Sequence, residues 1–129
     1  MNNKKENTYK PYEADKIIFS FFENNMDKIK KVIEELCPVK QLFIVAQFHL
    51  LLKEKYGRSY YPELYQPLHK LMGVAPDGNM KIYMAVGLKK YQTELSIEKI
   101  GYITLTDEAG DKSGHFVWRR LGDTKENQK

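Results

Sequence analysis

The chain has 129 residues and a mass of 15.2 kDa, the size of one ordinary domain. Its single cysteine, Cys37, excludes an internal disulfide framework, and no apolar run reaches the roughly 18 residues of a membrane helix. With 42% hydrophobic and 29% charged residues the composition is globular, and a net charge of +4 permits nucleic-acid binding without requiring it.

Residues 1–12 are polar and contain Pro11, which predicts a flexible arm. The opening Met1-Asn2-Asn3-Lys4-Lys5-Glu6 carries no apolar leader, so the expected location is cytoplasmic. Between 13 and 36, Ile17, Ile18, Phe21, Phe22, Met26, Ile29, Val32, Ile33 and Leu36 recur in steps of three and four. That is one face of a 3.6-residue period and predicts helix. Asn24-Asn25 leaves open one helix or two, and Cys37-Pro38 ends the segment.

Val39 to Tyr56 is the most apolar stretch and reads as a central buried helix with Gly57 as its C-cap. His49, inside it, is expected to be a packed, hydrogen-bonded core histidine. From Arg58 to Gly73 the helical spacing is interrupted by Pro67, which fits a turn to Tyr65 and then a helix from about Pro67, closed by Gly73. Pro76-Asp77-Gly78 marks a turn.

Met80 to Val86 alternates like a strand, yet the same residues also suit the start of a long helix. Leu88 to Ile100 reads as helix, stopped by Gly101. Tyr102 to Thr106 and His115 to Leu121 are rich in β-branched and aromatic residues, and the intervening loop makes them a β-hairpin. Residues 122–129 read as a polar tail.

A helix carrying Leu95 and Ile97 up to Ile100, then Gly101-Tyr102-Ile103, a loop, and Phe116 to Leu121, resembles the end of a winged helix-turn-helix domain. The resemblance spans residues 39–121. It implies an α+β fold over 13–121: a mostly helical, winged-helix-like domain with a C-terminal β-hairpin wing and an N-terminal helical extension. It also implies double-stranded DNA as the partner, bound by a regulator or DNA-associated accessory factor. A recognition helix would then turn Lys89, Lys90, Gln92, Thr93 and Ser96 toward the major groove, where Gln and Lys have base-edge partners. Lys112 at the wing tip, with Arg119 and Arg120, would reach phosphates or a minor groove. Alternation sends Arg119 and Arg120 to opposite faces, and Asp107, Glu108 and Asp111 on the same hairpin oppose phosphate. The segment 13–36 would dimerise or buttress the domain.

The charge pattern agrees in part. Residues 37–73 hold five Lys/Arg against two acids, and 74–100 hold four against three, while both flanks are neutral. Enzymatic signatures are absent from the sequence: no Gly-x-Gly-x-x-Gly, no Gly-Lys-Ser/Thr, no His-Glu-x-x-His. His49, His69 and His115 lack metal-ligand spacing. Asp107, Asp111 and Ser113 lack the glycine and closing glutamate of a calcium loop. The expectation is a non-enzyme without metal or cofactor. Cys37 is expected to be inert. The cluster Tyr60, Tyr61 and Tyr65 suits a core or a protein interface, and it supports the competing expectation of a protein-binding adaptor on the same fold.

Overall fold

A computed structural model describes residues 11–121. Of the expected arm, only Pro11 and Tyr12 are described, and Pro11 opens the first helix. The rest of the arm, and the expected tail at 122–129, lie outside the described residues.

The segment 13–36 forms two helices, α1 (Pro11–Asn24) and α2 (Met26–Leu36). The break falls at Asn25 (φ −125°, ψ 25°). Its buried side-chain amide donates to the Phe21 carbonyl and to Glu63 Oε1, both at 2.8 Å. Two partners offset the cost of burying that amide. Ahead of Pro38, Cys37 takes an extended conformation and ends α2.

The long helix expected over 39–56 is not what forms. Leu42–Ile44 is a strand, β1, and α3 starts at Val45 and runs to Tyr60. Gln47 seals that start, its Oε1 accepting the Ile44 amide at 3.0 Å. The helix is also not buried all round: Val45, Phe48 and Leu52 face inward and Leu50 is exposed. Gly57 is no C-cap. A kink at Tyr56 (φ −130°, ψ 36°) precedes it and helical backbone continues. A π-helical turn (Tyr61–Tyr65) follows, then α4 (Gln66–Met72). Pro62 and Pro67 each sit in the first turn of one of these segments, where a missing N–H costs least. Gly73 (φ 78°) closes α4, as the spacing predicted.

A 3₁₀ turn (Pro76–Asn79) leads into α5 (Met80–Lys90), so the ambiguous stretch at 80–86 is helix. The helix expected over 88–100 does not form as one element: 88–90 close α5, and from Ile97 the chain is strand. One further turn, α6 (Gln92–Leu95), ends at Ser96 in the left-handed region (φ 57°). Strand β2 then runs from Ile97 to Thr106, with Gly101 inside it next to a bulge instead of stopping a helix. β3 spans Lys112–Arg120. The loop between them is ordinary turn chemistry: Asp107 Oδ1 accepts the amides of Ala109 and Asp111, each at 2.9 Å.

The fold is α+β, with helices packed on one small antiparallel sheet of order β1-β3-β2. Phe43, Ile97 and Trp118 face the helices from the sheet and are buried. Phe22 is the aromatic hub: it stacks on Tyr91 (6.0 Å, 12°) and lies 6.4 Å from Phe48. The apolar stripe of α1 and α2, including Ile18, Phe21, Ile29 and Val32, is buried in this same core. The segment 13–36 therefore buttresses its own domain, and that stripe offers no face to a second copy.

His49 is packed and hydrogen-bonded, Nε2 lying 2.6 Å from the Tyr60 hydroxyl. Burial, then the nearby Lys53 charge, pulls its pKa from 6.5 to about 4. The sign follows from linkage. Above pH 6.5 both folded and unfolded chains hold it neutral. Between 6.5 and 4 the unfolded chain takes a proton that the folded one refuses, so stability falls as pH drops through that window. Urea midpoints measured from pH 7.5 to 4 should fall more steeply for the native chain than for His49→Gln. Parallel curves would contradict this assignment.

Candidate functional site

The outward stripe of α5 faces the inner side of the β2–β3 hairpin, and a cleft runs between them. Its first hollow, about 220 Å³, is lined by Ile82, Val86, Lys89, Lys99, Phe116 and Trp118. A second, about 190 Å³, shares Ile82 and Phe116 and adds Lys81, Tyr102 and His115. The floor is apolar and the rim is cationic.

Local packing holds each part. On α5, Met80, Tyr83, Met84, Gly87 and Leu88 are buried, which rotates Ile82, Val86 and Lys89 outward. On the hairpin, Tyr102 pairs with Phe116, their rings edge-to-face at 5.0 Å. The Tyr102 ring also lies across Gly114, where any side chain would collide with it. The Lys99 ammonium sits 4.7 Å over the Phe116 ring, a cation–π contact that aims it along the cleft. His115 is buried at the cleft wall, Nε2 2.9 Å from Ser113 Oγ. Burial, then the Lys81 charge, lowers its pKa and so disfavours the charged ring.

The residues expected from sequence are not brought together. Lys89 lines the cleft, and Lys112 is exposed at the start of β3. Lys90 lies on the opposite flank, its ammonium 5.2 Å over the Phe19 ring of α1. Gln92 donates to the Lys89 carbonyl at 3.1 Å. Ser96 is the left-handed turn into β2, and its carbonyl accepts the Leu121 amide. Thr93 is exposed on the single turn α6. Arg119 pairs with Glu98 at 3.0 Å, and Arg120 donates to the Cys37 carbonyl at 3.0 Å. Sequence reasoning missed Lys81 and Lys99. The available signal was helical phase: with 80–90 read as helix, Lys81 and Lys89 fall within one side, two turns apart.

No family model, curated protein or solved structure matches this chain.

Other candidate chemistry is structural. Cys37 is buried and its thiol pKa is raised by that burial, so it stays a protonated thiol. Tyr60 is buried against Tyr61 (ring centroids 5.0 Å apart), and the Tyr65 hydroxyl donates to Asp77 at 2.8 Å. The tyrosine cluster is thus largely tied into its own domain. Among the described residues no group of three or more His, Cys, Asp or Glu is placed to hold a metal ion. No described helix is long and apolar enough to cross a membrane.

Proposed function

We propose that this chain is a small winged-helix-type protein that binds double-stranded DNA, with α5 as the helix presented to the duplex and the β2–β3 hairpin as the wing. The observation that carries the reading is a combined one. A helix precedes β1, further helices follow, and a hairpin closes a sheet of order β1-β3-β2. Lys81, Lys89 and Lys99 all line the cleft between α5 and that hairpin.

The chemistry is mainly phosphate contact. Lysine is a point charge suited to backbone phosphates. The outward stripe of α5 is Ile82, Val86 and Lys89, which offers few groups able to read base edges. Binding is therefore tolerant of sequence and sensitive to salt. Fluorescence anisotropy with a labelled random-sequence duplex should give dissociation constants of roughly 1–100 µM near physiological salt. Lack of binding even at low salt would overturn the reading.

The apolar floor of the cleft favours a second reading. Ile82, Val86, Phe116 and Trp118 between lysines also suit an acidic, amphipathic protein segment, with its apolar side chains in the hollows and its carboxylates on the rim. That adaptor function is the one to pursue if the duplex does not bind.

A further inference from the structure

We infer that the chain pairs with a second copy of itself along the open edge of β2, the two strands running antiparallel in one continuous six-stranded sheet. This does not depend on nucleic-acid binding.

The sheet has two edges. β1 is three residues long, whereas β2 is ten, and among the described residues no strand covers its outer side. An edge strand presents a row of unpaired amides and carbonyls, and proteins usually blunt such edges with charge, proline or brevity. Beyond the bulge, β2 does none of these. Gly101-Tyr102-Ile103-Thr104-Leu105-Thr106 carries no charge and no proline. Tyr102, Ile103 and Leu105 are 60%, 41% and 43% exposed. The pairing Leu42↔Arg119, Ile44↔Val117, Ile103↔His115 and Leu105↔Ser113 places Leu42, Ile44, Ile103, Leu105 and Val117 on the outer face. That face also carries His115, Ser113 and the Glu98–Arg119 pair, and Val117 on it is buried, so the apolar groups open at this edge are Ile103 and Leu105.

The charges at the two ends of this segment select the occupant. Lys99 lies at one end, where Glu98 is already neutralised by Arg119. Asp107 and Glu108 lie at the other. Continuity of the outer face requires Ile103 to oppose a residue of the same face. With Ile103 opposite Ile103 of the second copy, Tyr102 meets Thr104 and Lys99, turning from its place over Phe116, meets Asp107, while Glu98 stays with Arg119 opposite Glu108. A two-fold axis makes this match twice, as an isologous interface demands. The same axis, perpendicular to the sheet, keeps both α5 helices on one side.

The test uses the full chain and sedimentation equilibrium at tens of micromolar. The native chain should sediment at twice 15.2 kDa. Ile103→Lys and Ile103→Glu each place like charges at the central pair, so each alone should be monomeric, and an equimolar mixture should recover the dimer. Far-UV circular dichroism checks that both variants are folded. Leu50→Lys, on exposed α3 surface, should leave the dimer intact. In the native chain, hydrogen exchange at 101–106 should slow as concentration rises. A monomeric native chain, a dimer that survives both Ile103 variants, a mixture that stays monomeric, or concentration-independent exchange at 101–106 would overturn the proposal.

Discussion

Trp118→Ala is expected to cost about 3–5 kcal/mol of folding stability, a large part of the roughly 5–15 kcal/mol typical of a domain. Trp118 stands on the central strand, opposite Phe43 on β1 and Lys99 on β2. It is 1% exposed and among the largest fully buried side chains described. Truncation leaves a cavity where sheet and helices meet and removes the floor of the cleft. Trp118→Phe is a sharper comparison. The indole N–H finds no acceptor among the described residues, and an unpaired buried donor costs about 1–3 kcal/mol. Phenylalanine removes that donor along with part of the ring, so its net cost should stay below about 1.5 kcal/mol. Urea unfolding of the three proteins measures both effects. Equal costs for the two variants would contradict this account of the site.

Gly87→Ala is expected to destabilise the protein, against the usual sign. In an exposed helix the change gains about 1 kcal/mol. Here α5 approaches α1 at Gly87, and a side chain there would strike the ring of Phe22. That ring is fully buried, stacked on Tyr91 and backed by Phe48, so it has nowhere to move. Overpacking of this kind costs about 1–3 kcal/mol, which outweighs the propensity gain. Gly87→Val, bulkier and β-branched, should reach the upper end of that range, about 3 kcal/mol. Combining Gly87→Ala with Phe22→Leu should cost less than the sum of the two, because the smaller side chain makes room. A Gly87→Ala protein that melts higher than the native chain would contradict the close approach.

Much of the fold is legible in the sequence where one local rule dominates. The 3.6-residue period of 13–36, the glycine at 73, the turn at Pro76 and the hairpin around Asp107 all appear where their residues place them. The failures occur where two local readings compete and tertiary contact decides. Leu42-Phe43-Ile44 is continuous in hydrophobicity with α3, and only its pairing with Val117, Trp118 and Arg119 makes it a strand. Leu88, Tyr91 and Leu95 keep helical spacing, yet Ser96 turns left-handed and the chain enters β2. That one error displaced the candidate site. Placing the helix at 88–100, where the structure has it at 80–90, sent attention to Gln92, Thr93 and Ser96. It left Lys81 on an ambiguous segment and put Lys99, a β2 residue, in a helix.

The salt dependence of duplex binding tests the central claim most directly. Each phosphate contact adds about −0.9 to the slope of log affinity against log salt. Replacing Lys81, Lys89 and Lys99 together by alanine should therefore flatten the native slope by as much as about 2.7. Replacing Lys30 and Lys31, exposed on α2 away from the cleft, should leave the slope unchanged. A slope that the triple variant does not alter, or that the α2 variant alters as much, would contradict duplex binding at the α5–hairpin cleft.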